Sequence, residues 1–402
     1  MMLLEIVFWT SLFIVFYTYV GYGVLLAALV WLKEHIHKPQ IQPAPADDEL
    51  PELTLFITAY NEEAVVDEKM RNCLELDYPA GKLHILWVTD GSNDRTVERL
   101  KCRPQANVMH QPLRMGKTAA MNRGMRAVQT PVVVFTDANT RLNREALRII
   151  AAAFVQHPEV GCVAGEKRVE SGRTANAASG GEGFYWRYES ALKALDSRLY
   201  SAAGAAGELF AVRRELYEEM SQDTLLDDFV LSLRIVMRGY VIAYRSDAYA
   251  VEGGSADMYE EQKRKVRIAA GGVQSVWRLR PLLNPLRYGI FSFQYISHRV
   301  LRWTLTPVLL FLLLPLNVAL VVTALLTASP LAWLYALIFL LQALFYLMGA
   351  GGCYLAGRRV KNKVLFIPYY FLFMNWNVIR GFRYLYRRKT GAGGAWEKSK
   401  RA

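Results

Sequence analysis

Two apolar blocks bracket a middle of mixed polarity, and this arrangement limits the chain more than any other feature. The first block covers 6–32, and the second begins after Trp303. A helical span takes about 20 apolar residues. Hydrophobic residues are 53% of the 402, and these blocks hold most of the excess. The pattern implies a membrane protein carrying a soluble-type insert. The first block lacks basic residues at its start and a small-residue cleavage site, so it reads as an anchor over 1–32. Lys33, His35, His37 and Lys38 follow it. The positive-inside rule then places the insert in the cytoplasm, in a multi-pass protein of the inner membrane. Spans are expected at 301–327 and 331–356, joined at Ser329–Pro330, within a membrane region of 301–387. The segment 364–379 is apolar but short and holds Asn375 and Asn377. A full span there would put the basic tail, 388–402, outside; a re-entrant or interfacial segment would keep it inside.

Net charge is +12, with cations massed at 264–302 and from Arg358 onward. Beside membrane segments such clusters face anionic lipid, so membrane lipid is an expected partner and nucleic acid is not. The cysteines Cys73, Cys102, Cys162 and Cys353 form no CxxC pair and no metal spacing. They read as reduced thiols.

Within the insert, 33–52 is a Pro-rich linker and 53–256 alternates strand and helix. Strands are expected at 53–59, 83–89, 131–136, 160–164 and 240–250. Helices are expected at 63–76, 96–101, 117–128, 143–156, 184–200 and 227–238. Such alternation predicts an α/β domain with a mainly parallel sheet and helices on both faces. The segment 171–183 is rich in Gly, Ser and Ala and reads as a mobile loop. The small residues of 201–207 would let backbone approach a ligand. A basic helix at 258–277 carries a Val/Ile/Ala stripe and suits a membrane surface, within an interfacial region of 257–300.

Three strands end in polar turns: Thr58–Ala59–Tyr60–Asn61–Glu62, Asp90–Gly91–Ser92 and Asp137–Ala138–Asn139. Ligands of open α/β sheets sit beyond the carboxyl ends of strands. Each turn could equally be a helix cap, but three acid-bearing turns on one edge point to a common crevice. Asp137 and Asn139, two positions apart, offer hard oxygens suited to a divalent ion that grips phosphate. Gly116–Lys117–Thr118 lacks the first Gly of a phosphate loop, since Gln111 stands there. It keeps a Gly–Lys at a helix start, which favours phosphate. Asp227 and Asp228 open a helix, where the dipole tolerates negative charge; such an acid can take a proton from a hydroxyl, or merely cap the helix. Arg264 and Arg267 share a helical face and can grip phosphate or anionic lipid.

Taken together and in this order, these residues resemble the membrane-embedded family 2 glycosyltransferases. That group includes cellulose, hyaluronan, poly-N-acetylglucosamine and chitin-oligosaccharide synthases. The resemblance covers about 53–272 by motif. It implies a GT-A nucleotide-sugar fold, a UDP-sugar donor, Mg²⁺ or Mn²⁺, and inversion at the anomeric carbon. By position it implies that Thr58, Tyr60 and Glu62 line the nucleoside pocket, and that Asp90 binds the uracil or ribose side. Lys117 would meet the diphosphate, Asp137 and Asn139 the metal, and Arg267, with Arg264, the pyrophosphate. Asp228, with Asp227, would be the catalytic base. Two positions depart from the family pattern. Asn139 stands for the second Asp of D-x-D, removing a charge. In Q-x-x-R-W the Gln is Arg264 and the Trp is Ile268, which argues against long-chain processive synthesis unless Trp186 or Tyr185 substitutes.

The resulting expectation is an inverting transferase that adds a UDP-sugar's sugar to a growing poly- or oligosaccharide, with possible partner subunits of an export complex. The alternative is transfer of one sugar to a lipid acceptor of polyprenyl-phosphate type. A transporter with a regulatory nucleotide domain is the remaining rival; its expected inverted repeats and mid-membrane polar groups are nearly lacking.

Overall fold

The computed structural model describes residues 1–38, 42–170, 177–254, 258–357 and 363–389. Parts of five expected segments fall outside these: linker residues 39–41, 171–176 of the loop, 255–257 at the domain boundary, 358–362 of the membrane region, and 390–402 of the basic tail.

Eight strands form one sheet in the order β3-β2-β1-β4-β7-β6-β8-β5. β1 (Leu53–Ala59), β2 (Leu83–Asp90), β3 (Ala106–Gln111) and β4 (Val132–Asp137) pair in parallel. The apolar runs of β1, β2 and β4 are buried on both faces, as parallel strands inside a sheet require. Alternate residues serve opposite layers. Phe56, Val88 and Phe135 face one core with Met121 and Phe229. Leu55, Trp87 and Val134 face the other with Met70 and Ile150. The helices that cover the sheet are α2 (Val66–Leu74), α3 (Thr96–Lys101), α4 (Lys117–Met125) and α5 (Ala146–Gln156).

The second half of the sheet is mixed. β7 (Leu209–Arg213) inserts antiparallel between β4 and β6 (Val160–Val169), and β8 (Val241–Glu252) pairs parallel to β6 and antiparallel to the short β5 (Arg141–Leu142). β3, β5 and β7 are additions to the sequence reading. β3 lies at the sheet edge and is only partly buried, so its apolar signal is weak.

The loop expected at 171–183 is corrected in part: from 177 on it belongs to α6 (Ala177–Leu199). That helix lies on α1 (Met2–Ile36), with Leu192 packed against Tyr22 and Leu26. α7 (Asp227–Met237) and α8 (Met258–Arg278) complete the insert. Short turns lead through 280–303 to α9 (Leu305–Leu326), α10 (Ala332–Gly357) and α11 (Lys363–Lys389). Among the described residues, three helices are long and apolar enough to cross a membrane: α1, α9 and α10. They meet around Phe8, Leu313, Leu320 and Tyr335. The undecided segment 364–379 is part of one continuous helix, α11, and does not fold back.

The helix expected at 258–277 forms, and one of its sides is covered by the chain itself. α8 is pressed against α11, close enough that a Cβ on Gly381 would lie 2.7 Å from the Ala269 Cβ. Glu260, Glu261, Arg264 and Lys265 are buried. Glu261 takes Arg264 at 2.9 Å and Lys265 at 3.5 Å, and Tyr370 of α11 donates to it at 2.9 Å. Its charges therefore face inward, where a single apolar stripe would have put them in water.

Candidate active site

Parallel pairing aligns the strand ends. Thr58 lies in register with Asp137, and Ala59 with Thr89, one residue before Asp90. The three polar turns thus reach the same edge. They bound a hollow of about 300 Å³ lined by Thr58, Tyr60, Glu62, Asp90 and Asn139. Lys117, Asp137, Arg264 and Arg267 line it too, and the same four line a second hollow of about 240 Å³. Asp227 and Asp228 lie in the second. All eleven candidate residues therefore belong to two adjoining hollows with a shared wall.

Asp90 is held in place before any ligand arrives. Its Oδ2 accepts the backbone N–H groups of Met115 (2.9 Å) and Gly116 (2.6 Å). Arg123 spans Gln111 Oε1 and the Thr89 carbonyl beside it. Asp90 therefore fixes the loop that presents Lys117. That loop needs glycine: Gly116 has φ +96°, and a Cβ at Gly91 would strike the Arg114 backbone. The loop also lays the Arg114 guanidinium 3.8 Å over the Tyr60 ring.

Lys117 is the centre of the charge arrangement. Its Nζ lies 2.9 Å from Asp137 Oδ1 and 3.7 Å from Asp227 Oδ2. Burial opposes the Lys117 charge, but Asp137, Asp227 and Asp228 outweigh it and hold the ammonium protonated well above the usual lysine range. Burial, and then the adjacent Asp227, push the Asp228 carboxyl up to about 7, with Lys117 pulling the other way. Gly207 abuts both groups. A Cβ there would sit 3.3 Å from Asp228 Oδ2 and 3.5 Å from Lys117 Nζ. The small-residue stretch thus leaves open space beside the acid and the ammonium.

Asp137 at the shared wall and Asn139 on the strand-end side offer two hard oxygens, and the buried Asp227 Oδ2 accepts no hydrogen bond. Among the described residues no three His, Cys, Asp or Glu side chains form a ready metal cage. This donor set fits a hard divalent ion that borrows phosphate oxygens from a ligand. Behind the turn, Lys69 is buried and donates to Thr136 Oγ1 (3.2 Å), Thr140 O (2.8 Å) and Thr140 Oγ1 (3.2 Å). It braces the segment that carries Asp137 and Asn139.

Several contributors escaped the sequence reading. Arg114 stood within the failed phosphate-loop pattern. Glu208, held below the usual carboxylate range by Lys167 against the effect of burial, lines the second hollow. Arg299 and Trp303 line it from the far side. Trp303 sits on α8 where Gly272 leaves room for its ring. These last two lie beyond 53–272, and no local motif marks them. Trp186 lines the same hollow, whereas the Tyr185 side chain is outside the described residues.

Comparison with known proteins agrees with this geometry. The family model described as "Glycosyltransferase like family 2" matches residues 51–281. The beta-monoglucosyldiacylglycerol synthase of Trichormus variabilis is 26% identical over 287 residues, covering 67% of this chain and 58% of that protein. The poly-beta-1,6-N-acetyl-D-glucosamine synthase of Staphylococcus aureus is 25% identical over 241 residues, covering 58% of this chain and 57% of that protein. The chain thus spans less than two thirds of these relatives' length. The mannosyltransferase PcManGT from Pyrobaculum calidifontis, solved with GDP-Man and Mn²⁺, shares the fold at TM-score 0.67 and 24% identity, covering 96% of this chain and 99% of that one.

Proposed function

Because the chain belongs to the family described as glycosyltransferase-like family 2, we propose that it is an inverting glycosyltransferase at the cytoplasmic face of the inner membrane. It moves a hexose from a UDP-sugar to an acceptor hydroxyl. One observation carries this reading: the two hollows meet at Lys117, Asp137, Arg264 and Arg267, with the acid pair beyond that junction.

The strand-end hollow takes the nucleoside, against the Thr58–Glu62 turn and Asp90. The diphosphate lies at the junction, against Lys117 and Arg267. Asp137 and Asn139 would hold Mg²⁺ or Mn²⁺, which supplies positive charge for the leaving diphosphate. The acceptor enters the second hollow. Asp228 takes its hydroxyl proton as that oxygen attacks C1 from the face opposite the diphosphate. A carboxyl near pH 7 suits this work, because it is partly ionised yet basic enough to accept a proton. As the bond to C1 breaks, charge grows on the diphosphate beside Lys117 and Arg267. Removing one such preorganised donor costs about 10²–10³ in rate.

Two acceptors are weighed. A growing saccharide is the first, in keeping with the polysaccharide synthases among the relatives. A membrane lipid is the second, and the structure favours it. The acceptor hollow adjoins an apolar one across Arg299, Trp303, Met374 and Val378. One wall of that hollow is Phe366, Ile367, Phe371 and Met374, which suits a hydrocarbon chain better than a hydrated sugar chain.

The test is Asp228→Asn in the full chain, assayed for UDP release from UDP-glucose, UDP-galactose and UDP-N-acetylglucosamine. Loss of about 10²–10⁴ is expected for a missing general base. A rate near that of the unaltered protein would remove Asp228 from the role.

A further inference from the structure

We propose that the apolar hollow behind Trp303 binds the hydrocarbon chain of the acceptor, so that the acceptor is a membrane lipid held by its tail while its head reaches Asp228. This rests on the transferase reading above, and it deepens that reading by giving the lipid acceptor's tail a binding site.

The hollow has a volume of about 170 Å³. An apolar cavity of roughly 150 Å³ stays dry and takes a six-carbon ring. This one has room for a stretch of alkyl chain along its apolar wall. Phe366, Ile367, Phe371 and Met374 of α11 form one wall. Tyr19 forms part of another, and it lies midway along α1, a helix long and apolar enough to cross a membrane. Thr18, the residue before it, hydrogen-bonds Thr306 at the start of α9, so the cavity sits where the spans join the insert. Ile367 is 48% exposed and marks an edge through which a chain can enter from the side.

The other end is polar and cationic. Arg299 and Arg302 share the carboxylate of Glu189, at 2.5 and 3.2 Å. Arg299 also donates to the Ala203 carbonyl at 2.9 Å, just before the small-residue turn that leads to Gly207. Two guanidinium groups thus stand where the lipid head would turn toward Asp228. That end suits a hydroxyl-bearing or phosphate-bearing head. The shared chemistry is a long hydrocarbon chain joined to such a head.

The experiment is photo-crosslinking of the full chain in nanodiscs. One preparation contains diacylglycerol with a diazirine near the end of one acyl chain. Another contains a polyprenyl phosphate with the same group. Adducts are mapped by peptide mass spectrometry. Labelling of Tyr19 or of α11 residues at 366–374 is expected with at least one probe, and the probe that labels identifies the head. Ile367→Trp, which fills the hollow, should cut adduct yield at least fivefold; Ile367→Leu, which keeps the space, should retain it. Circular dichroism confirms that both variants fold. Adducts confined to the outward faces of α9 and α10 with both probes would overturn the proposal. The labelling needs no turnover. A chain that labels but never releases UDP therefore defeats the transferase reading alone. A chain that makes water-soluble polymer without labelling defeats the lipid site alone.

Discussion

Lys117→Met is the most informative single change, because its effect on pH dependence can be worked from the structure. Lys117 Nζ and Asp228 Oδ2 both lie close to the Gly207 Cβ position, at 3.5 and 3.3 Å, so they are at most about 7 Å apart. At an effective dielectric of about 20, unit charges at about 7 Å interact by about 2.4 kcal/mol. About a third of the Lys117 side chain is exposed, so solvent screening roughly halves this. What remains is about one pKa unit. Asp228 must be ionised to take a proton, so kcat/KM rises as pH passes its pKa. Removing the nearby ammonium raises that pKa from about 7 toward 8. The acid limb of the kcat/KM profile should therefore move about one unit to higher pH, with an added loss of about 10²–10³ at its plateau from weaker hold on the diphosphate. The assay is UDP release between pH 5.5 and 9.5. An acid limb that stays within 0.2 units of its original position, in a variant with measurable activity, would refute the coupling of Lys117 to Asp228.

Two further changes probe the surroundings. Gly207→Val adds branched carbons beside Asp228 and Lys117 at a position with no backbone strain; UDP release should fall by about 10² or more with the circular dichroism unchanged, and a loss under twofold would show that the space is not used. Lys69 is buried, and burial pulls its ammonium down to about 8, so the unfolded chain binds the extra proton between pH 8 and 10.5 and the folded state gains about 3 kcal/mol across that window as pH rises. Thermal melts of Lys69→Met should lack that rise, and a pH dependence matching the unaltered protein would exclude Lys69 as its source.

In the first half of the fold β1, β2 and β4 were legible because they are buried on both faces. Runs such as Val132–Val133–Val134–Phe135 leave few alternatives, and β2 and β4 stop at Asp90 and Asp137. Register then did the rest: parallel pairing sets Thr58 beside Asp137 without further information. The second half was less legible because pairing direction is not written in a five-residue strand. β7 is apolar like its neighbours, yet it runs antiparallel between β4 and β6. Its short connection back through 201–208 is what carries Gly207 to Asp228, so the least legible strand brings backbone up against the acid.

The site residues were read from charge at strand ends, and that signal has a blind side. α8 looks interfacial because its cations outnumber its acids, and periodicity alone puts cations in water. Glu260 and Glu261 reverse that inference. They are buried one turn before Arg264 and Lys265, and a buried acid draws cations inward. The helix thereby turns Arg267 toward the junction of the hollows and sets Gly272 beneath Trp303. The same logic applies around Glu189, where His298 at 3.2 Å joins Arg299 and Arg302 on a single carboxylate. In a chain of net charge +12, the few buried acids decide where the cations go. A sequence reading that weights the abundant sign will place such helices on lipid; one that starts from the scarce sign would have turned α8 and the 298–302 turn toward the site.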